Sequence, residues 1–307
     1  GSRPAVSGIL GAIRRAWYGA FVRQRWTIGF ANGPLGTDGS WIGSGRLLDP
    51  LPGGDFLADP FFVPGTSARV VLCEWMQVRR GKGIIARVEL TAERRIRDIT
   101  PLIDLPNYHL SYPHVFTYEG RIYCSPESCH TRSVKLFELS TDAREVTARH
   151  DMLEGFAAVD PTIFEHEGRW WLMCTDAKDN RYNTHLFVFH AATPFGPWEP
   201  HARNPVVVDV RCARPAGAVF EKDGRLYRPA QDCSLRYGGG LRLMEIEQLT
   251  PEHYSERPVW GVYPPVGAHG RHGIHTLNGS DNVLVYDAYT ERFAAFAWLD
   301  RLRERNR

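Results

Sequence analysis

No stretch of about 18 consecutive apolar residues occurs in the 307-residue chain, so no membrane-spanning helix is expected. Charge excess is also missing. Lys plus Arg total 37 and Asp plus Glu 35, and the net charge of +2 gives no general ground for a nucleic-acid partner. Low-complexity segments are absent. None of the six cysteines forms a C-x-x-C pair, which argues against a zinc site, and no metal ligand set is assigned. Cys73, Cys124 and Cys174 lie inside apolar, strand-like runs, so they are read as buried, reduced thiols of a cytoplasmic protein.

What is present is a repeat of roughly 50 residues. The segments beginning near Leu57, Ser111, Val159, Arg214 and Gly273 share one grammar: a polar residue, usually followed by proline, opens a short apolar run. The anchor positions are Asp59, Tyr112, Asp160, Arg214 and His275, separated by 53, 48, 54 and 61 residues. A turn follows at Glu119-Gly120, Glu167-Gly168, Asp223-Gly224 or Asn278-Gly279. Acid-Gly and Asn-Gly pairs between β-rich runs are strong hairpin signals. The second run ends in an acid: Glu74, Glu127, Asp176, Asp232 or Asp287. Further strand-like runs complete each unit at three or four strands. Units of this size are propeller blades. The expected fold is therefore all-β: a five-bladed β-propeller over residues 31–307, preceded by a short helical or irregular N-terminal extension over residues 1–30. That extension holds a Gly-Ser tag remnant and an apolar segment, Ile9–Val22, with two arginines. The segment is expected to pack on the domain or to lie on a membrane surface as an amphipathic helix.

The innermost strand of a propeller blade lines the central channel, so the anchors are expected at one mouth. Burying an unpaired carboxylate costs several kcal/mol, and two Asp-Pro anchors in equivalent positions therefore point to a site. Cleavage of a glycosidic bond needs such paired carboxyl groups. Arg214 and Arg228 are suited either to holding a phosphate or carboxylate, or, for Arg214, to pairing with Asp59 or Asp160. Tyr112, Trp75, Trp170, Trp171 and Trp198 are aromatic candidates for stacking; Trp170 and Trp171 lie on opposite faces of one strand, so at most one faces a pocket. The remaining substrate-binding candidates near the anchors are Glu74, His114, Asp176, Gln231, Asp232 and His275. His275, with His269 and His272, suits a sugar hydroxyl or, through water, a structural axial cation; no other cofactor is expected. Tyr237 with Gly238–Gly240 is a closing loop or a plain blade connection.

The motifs ADPFF (58–62) and VDPTIFEHEGRWWL (159–172) resemble the first and third blades of glycoside hydrolase families 43 and 32. The segments LSYPHVFTYEGRIYCSPES, FGPWEPHARNPVV and ARPAGAVFEKDGRLYRPAQDCS are more similar to the family of the glucosamine inositolphosphorylceramide transferase N-terminal region. The resemblance runs from about Phe56 to His275 and implies a five-bladed propeller acting on sugars, furanosides being favoured. By position it makes Asp59 the catalytic base and Asp160 the carboxylate that orients the acid. The family 43 acid is missing: Arg214 stands in its place and cannot donate a proton. Glu127 is the candidate for a relocated acid, ahead of Asp232 and Glu74. Two readings follow: an enzyme cleaving or transferring a glycosyl unit of a saccharide or glycoconjugate, and a non-hydrolytic glycan-binding domain that accompanies a glycosyltransferase in glycan biosynthesis.

Overall fold

The acid-glycine pairs take the backbone that a tight hairpin demands. Glu119-Gly120, Glu167-Gly168 and Asp223-Gly224 all have positive φ at both residues, between 49° and 74°, as a two-residue type I′ turn requires. The fourth expected turn is displaced. Asn278 and Gly279 lie inside a strand, Ser280 pairs with Val283, and Asn282 between them has φ +62°.

The computed structural model describes residues 22–36, 39, 41, 45–264, 273–280 and 282–293. Strands β1 (Val22–Asn32) and β2 (Arg46–Leu47) precede four complete blades. Blade I comprises β3 (Phe56–Phe62), β4 (Val70–Gln77), β5 (Lys82–Leu90) and β6 (Ile96–Ile103). Blade II comprises β7 (Ser111–Tyr118), β8 (Arg121–Glu127), β9 (Val134–Leu139) and β10 (Val146–Met152). Blade III comprises β11 (Ala158–His166), β12 (Arg169–Asp176), β13 (His185–Ala191), and the short β14 (Glu199–Pro200) and β15 (Val207–Val208). Blade IV comprises β16 (Phe220–Lys222), β17 (Arg225–Asp232), β18 (Gly240–Leu249) and β19 (Tyr254–Val262). The last strands, β20 (Leu277–Ser280) and β21 (Val283–Phe293), meet the first: the fifth sheet runs β2-β1-β21-β20.

The ring thus closes through antiparallel pairing of β1 on β21 over its whole length, Val22 opposite Phe293 to Asn32 opposite Val283. The propeller takes in residues that sequence reasoning left in the extension. The Ile9–Val22 segment otherwise lies outside the described residues, as do His269 and His272. Among the described residues helix is confined to three 3-10 turns.

Apolar side chains fill the seams between blades. Phe61, Leu72 and Ile85 meet Val115, Ile122 and Phe137 between blades I and II. Phe116, Leu136 and Met152 meet Ile163, Leu172 and Phe189 between II and III. Each such side chain, fully buried, contributes about 1.5–3 kcal/mol. Trp170 enters the II–III seam and Trp171 the III–IV seam. Trp198 packs against the former, so these three are core residues and not stacking platforms.

Three inner strands carry the same irregularity. Register shifts occur at 58–61, 111–114 and 159–162. In each bulge the residue before proline has positive φ: Asp59 +51°, Tyr112 +43° and Asp160 +51°. Proline lacks a ladder donor and is tolerated at such bulges. The left-handed residue ahead of it costs of order 1–3 kcal/mol unless its surroundings enforce it. Blade IV departs from the pattern: Arg214 precedes β16 in irregular chain, and Gly217 has φ +149°. A Cβ on Gly217 would lie 2.1 Å from the Leu277 carbonyl oxygen. Gly217→Ala is expected to destabilise the fold by about 3 kcal/mol, read as a fall in urea midpoint at constant m value. An unchanged midpoint would contradict this packing.

Candidate active site

The innermost strands converge, and their anchors bring a dense set of buried polar groups to one mouth of the ring. Asp160, at the bulge of β11, accepts a 2.6 Å bond at Oδ2 from Arg214 Nε and a 3.0 Å bond from Gln231 Nε2. Its backbone N–H donates to Glu127 Oε2 at 3.2 Å. Arg214 Nη2 lies 3.8 Å from Glu127 Oε2, and its Nη1 donates to Asn183 Oδ1. The guanidinium sits 5.0 Å from the Tyr237 ring centroid, in cation–π range. Arg214 therefore pairs with Asp160, one of the two partners expected of it, and leaves Asp59 alone.

Asp59 belongs to a second group. Its Oδ1 accepts from Thr276 Oγ1 at 2.7 Å, and its Oδ2 from the Tyr112 N–H at 3.2 Å. The Asp59 N–H donates to Asp287 Oδ2. Asp287 also accepts the N–H groups of His275 and Thr276, and its Oδ2 lies 2.5 Å from His275 Nδ1. Trp26, from the closing strand β1, stacks on the His275 ring at 3.8 Å between centroids. Asp59, His275 and Asp287 bring ligand atoms within 4.8 Å of one another, a set among the described residues that could hold a cation. As folded, the imidazolium serves both carboxylates, and a cation would have to displace its proton.

Burial sets the protonation of these groups. It pushes the Asp59 carboxyl up to about 7, against the pull of His275 and with a push from Asp287. It pushes Glu127 up to about 8; the Asp160 charge adds to this and Arg214 opposes it. Burial alone would lower His275, but Asp287 and then Asp59 outweigh it and hold the imidazole up to about 9. Glu74 likewise holds His109, whose Nε2 is 3.2 Å away, up to about 9 against burial.

Several expected site residues are engaged elsewhere. Tyr112 is fully buried, its hydroxyl closed between Thr162 Oγ1 at 2.9 Å and the Gly217 N–H at 2.8 Å. His114 donates from Nε2 to the Ile163 carbonyl in the II–III seam, and burial lowers it to about 4, a neutral ring. Arg228 makes a two-pronged 2.6 Å pair with Glu256 and is buried within blade IV, so it offers no fork to a substrate anion. Asp232 is bonded to Arg242, Tyr263 and Ser234, which together hold its carboxyl below the usual range despite burial; an acid catalyst needs the opposite. Asp176 accepts from the Lys178 N–H in a turn, and Trp75 Nε1 donates to Asp55 Oδ2.

Asp287, Thr276 and Trp26 were not among the expected site residues. Asp287 occupies the same repeat position as Glu127, and both accept the N–H of the next blade's anchor. That equivalence was available in the sequence. Trp26 gave no signal, because it precedes the repeat and reaches the mouth only through ring closure.

Residues 51–279 match the family model described as glucosamine inositolphosphorylceramide transferase 1, N-terminal. The chain belongs to this family. Glucosamine inositolphosphorylceramide transferase 1 of Oryza sativa subsp. japonica is 30% identical over 234 residues, 73% of this chain and 31% of that protein. The chain thus spans between a fifth and a third of the length of the curated relatives it matches. Among solved structures, the family 117 glycoside hydrolase Zg3597 of Zobellia galactanivorans superposes with a TM-score of 0.50 at 12% identity, covering 88% of this chain and 91% of that one. That likeness concerns the fold. An α-L-arabinofuranosidase (CtGH43) from Clostridium thermocellum gives 0.48 at 11% identity, over 66% of this chain and 73% of its own.

Within this family member, Glu127 offers a direct titration test. The folded chain holds its proton to about pH 8, the unfolded chain to about 4.5. Between those values the folded state binds the extra proton, so the stability owed to Glu127 falls as pH rises. The Tm of Glu127→Gln minus that of the parent should be small at pH 4.5, grow towards pH 8 and level off above it. A difference independent of pH would mean that Glu127 is ionised at neutrality.

Proposed function

We propose that the axial mouth is the catalytic centre of a carbohydrate-active enzyme that cleaves or transfers a glycosyl unit. One observation carries this reading: two buried carboxyl groups, Asp59 and Glu127, titrate near neutrality at the same mouth, where Arg214 is committed to Asp160. A pair of carboxyl groups whose surroundings separate their proton affinities is the usual arrangement for acid and base work. Glu127, neutral at pH 7, gives its proton to the leaving oxygen as the glycosidic C–O bond breaks. Asp59, ionised as pH rises through about 7, takes the proton of the water or acceptor hydroxyl that attacks. Asp160 is a positioning residue: its N–H fixes Glu127 and its carboxylate fixes Arg214.

Arg214, where a family 43 acid would stand, favours a second reading, that of a non-hydrolytic glycan-binding domain associated with a glycosyltransferase. Turnover of a panel of nitrophenyl furanosides and pyranosides, with sugar binding followed by calorimetry, separates the two. Under the first reading, Asp59→Asn lowers kcat by roughly 10²–10⁴-fold with binding kept. Glu127→Gln loses less on the activated nitrophenyl leaving group than on a plain disaccharide. The parent's kcat/KM rises with pH through about 7 and falls through about 8. Binding without turnover on any of these substrates would leave the second reading standing.

A further inference from the structure

On the same end of the ring, between blades I and II, two cavities of about 550 and 680 Å³ lie side by side, with Pro106, Asn107 and Tyr108 lining both. Their charges do not balance. Asp104 is contacted by both Arg80 and Lys82. Asp151 is likewise shared by Arg149, which grips it at 3.1 Å through both Nε and Nη2, and by Lys135 at 3.2 Å. Arg132, exposed at the rim, donates to the Gly155 carbonyl and has no carboxylate partner among the described residues. Glu154 is the remaining lining acid. Among the described residues, and leaving Arg80 aside, Lys82, Arg132, Lys135 and Arg149 face Asp104, Asp151 and Glu154. Lys135 is buried, and two of its three ammonium donors go to Ser133 and Asp151. A solvent-open, positively biased cleft with a spare donor on the buried Lys135 favours an anion.

The cleft borders the axial residues through His109. His109 and His130 line its inner end. His109 pairs with Glu74, and Cys129, next to His130, has its thiol pushed up to about 12 by burial and by the adjacent Glu127.

We propose that this cleft is a subsite for an anionic substituent, a phosphate ester or a sugar carboxylate, on the saccharide whose glycosyl bond lies at Glu127 and Asp59. The assignment of the substrate rests on the reading of the axial site, while binding of the anion does not. The Tyr108 ring, 39% exposed and lining both cavities, is placed to cover a sugar face beside the charged group.

The test is titration calorimetry of the whole chain at low salt with inorganic phosphate, glucose 6-phosphate, glucuronate and glucose. At least one charged probe is expected to bind while glucose does not, and its affinity should fall as sodium chloride is raised. Binding of the phosphates alone assigns a phosphate ester, and binding of glucuronate alone assigns a sugar acid. The double variant Arg132→Gln, Arg149→Gln, both exposed positions, should weaken that binding about tenfold. The charge-matched pair Arg97→Gln, Arg121→Gln, outside the cleft, should leave it unchanged. Glu127→Gln should retain anion binding even if turnover is lost or was never present, which keeps this inference separate from the chemistry at the axis. It is overturned if no charged probe binds better than glucose, or if both double variants weaken binding equally.

Discussion

One guanidinium between two carboxyl groups governs the site. Arg214 bonds Asp160 at 2.6 Å and only approaches Glu127, at 3.8 Å, all three being largely shielded from water. A single positive charge cannot neutralise both. Asp160 has the close contact and a second donor in Gln231, and Glu127 resolves the remaining conflict by keeping its proton. The same bond joins blade III to the irregular start of blade IV, while burial in that wall, helped by the Asp160 charge, keeps the proton on Glu127 against the pull of Arg214. Asp59, His275 and Asp287 repeat the arrangement with a different cation: one imidazolium serves two carboxyl groups across the closing blade.

The strained bulges follow from this crowding. Asp59 and Asp160 adopt left-handed backbone, and in that conformation each N–H reaches a carboxylate of the preceding blade: Asp287 for the first and Glu127 for the second. Each bond secures the turn and spans a blade boundary. Tyr112, the equivalent residue of blade II, spends its N–H on Asp59 and its hydroxyl on Gly217, binding blades I, II and IV around the axis. The cost of three unfavourable backbones is offset by contacts that only a closed ring provides.

The repeat made the fold legible: acid-glycine turns and X-Pro anchors at 48–61-residue spacing are local signals, and the hairpins form where they point. The Asn278-Gly279 pair misled, because Asn278 is drawn inward to bond Pro60 and Ala218 and the turn moves beyond it. Of the candidate site, Asp59 and Asp160 were legible because a charge in an apolar run demands a partner, Arg214 because it shares their repeat register, and Glu127 only through the place left by the missing family 43 acid. The partners themselves were not. Arg228 and Asp232 look as suitable in sequence, yet Glu256 and Arg242, brought over by neighbouring strands of blade IV, satisfy them. Strand register decides which charges are spent on structure, and one-dimensional spacing does not record it.

A neutral carboxyl group at Glu127 is the claim on which the rest stands. Difference infrared spectroscopy of the parent and Glu127→Gln near pH 7 observes it directly, through the carbonyl stretch of a protonated carboxylic acid. The account predicts that the parent shows such a band, that it fades as pH is raised through about 8, and that the variant lacks it. Identical spectra in that region would contradict the account, since Glu127 would then be ionised beside Asp160 with no proton to give.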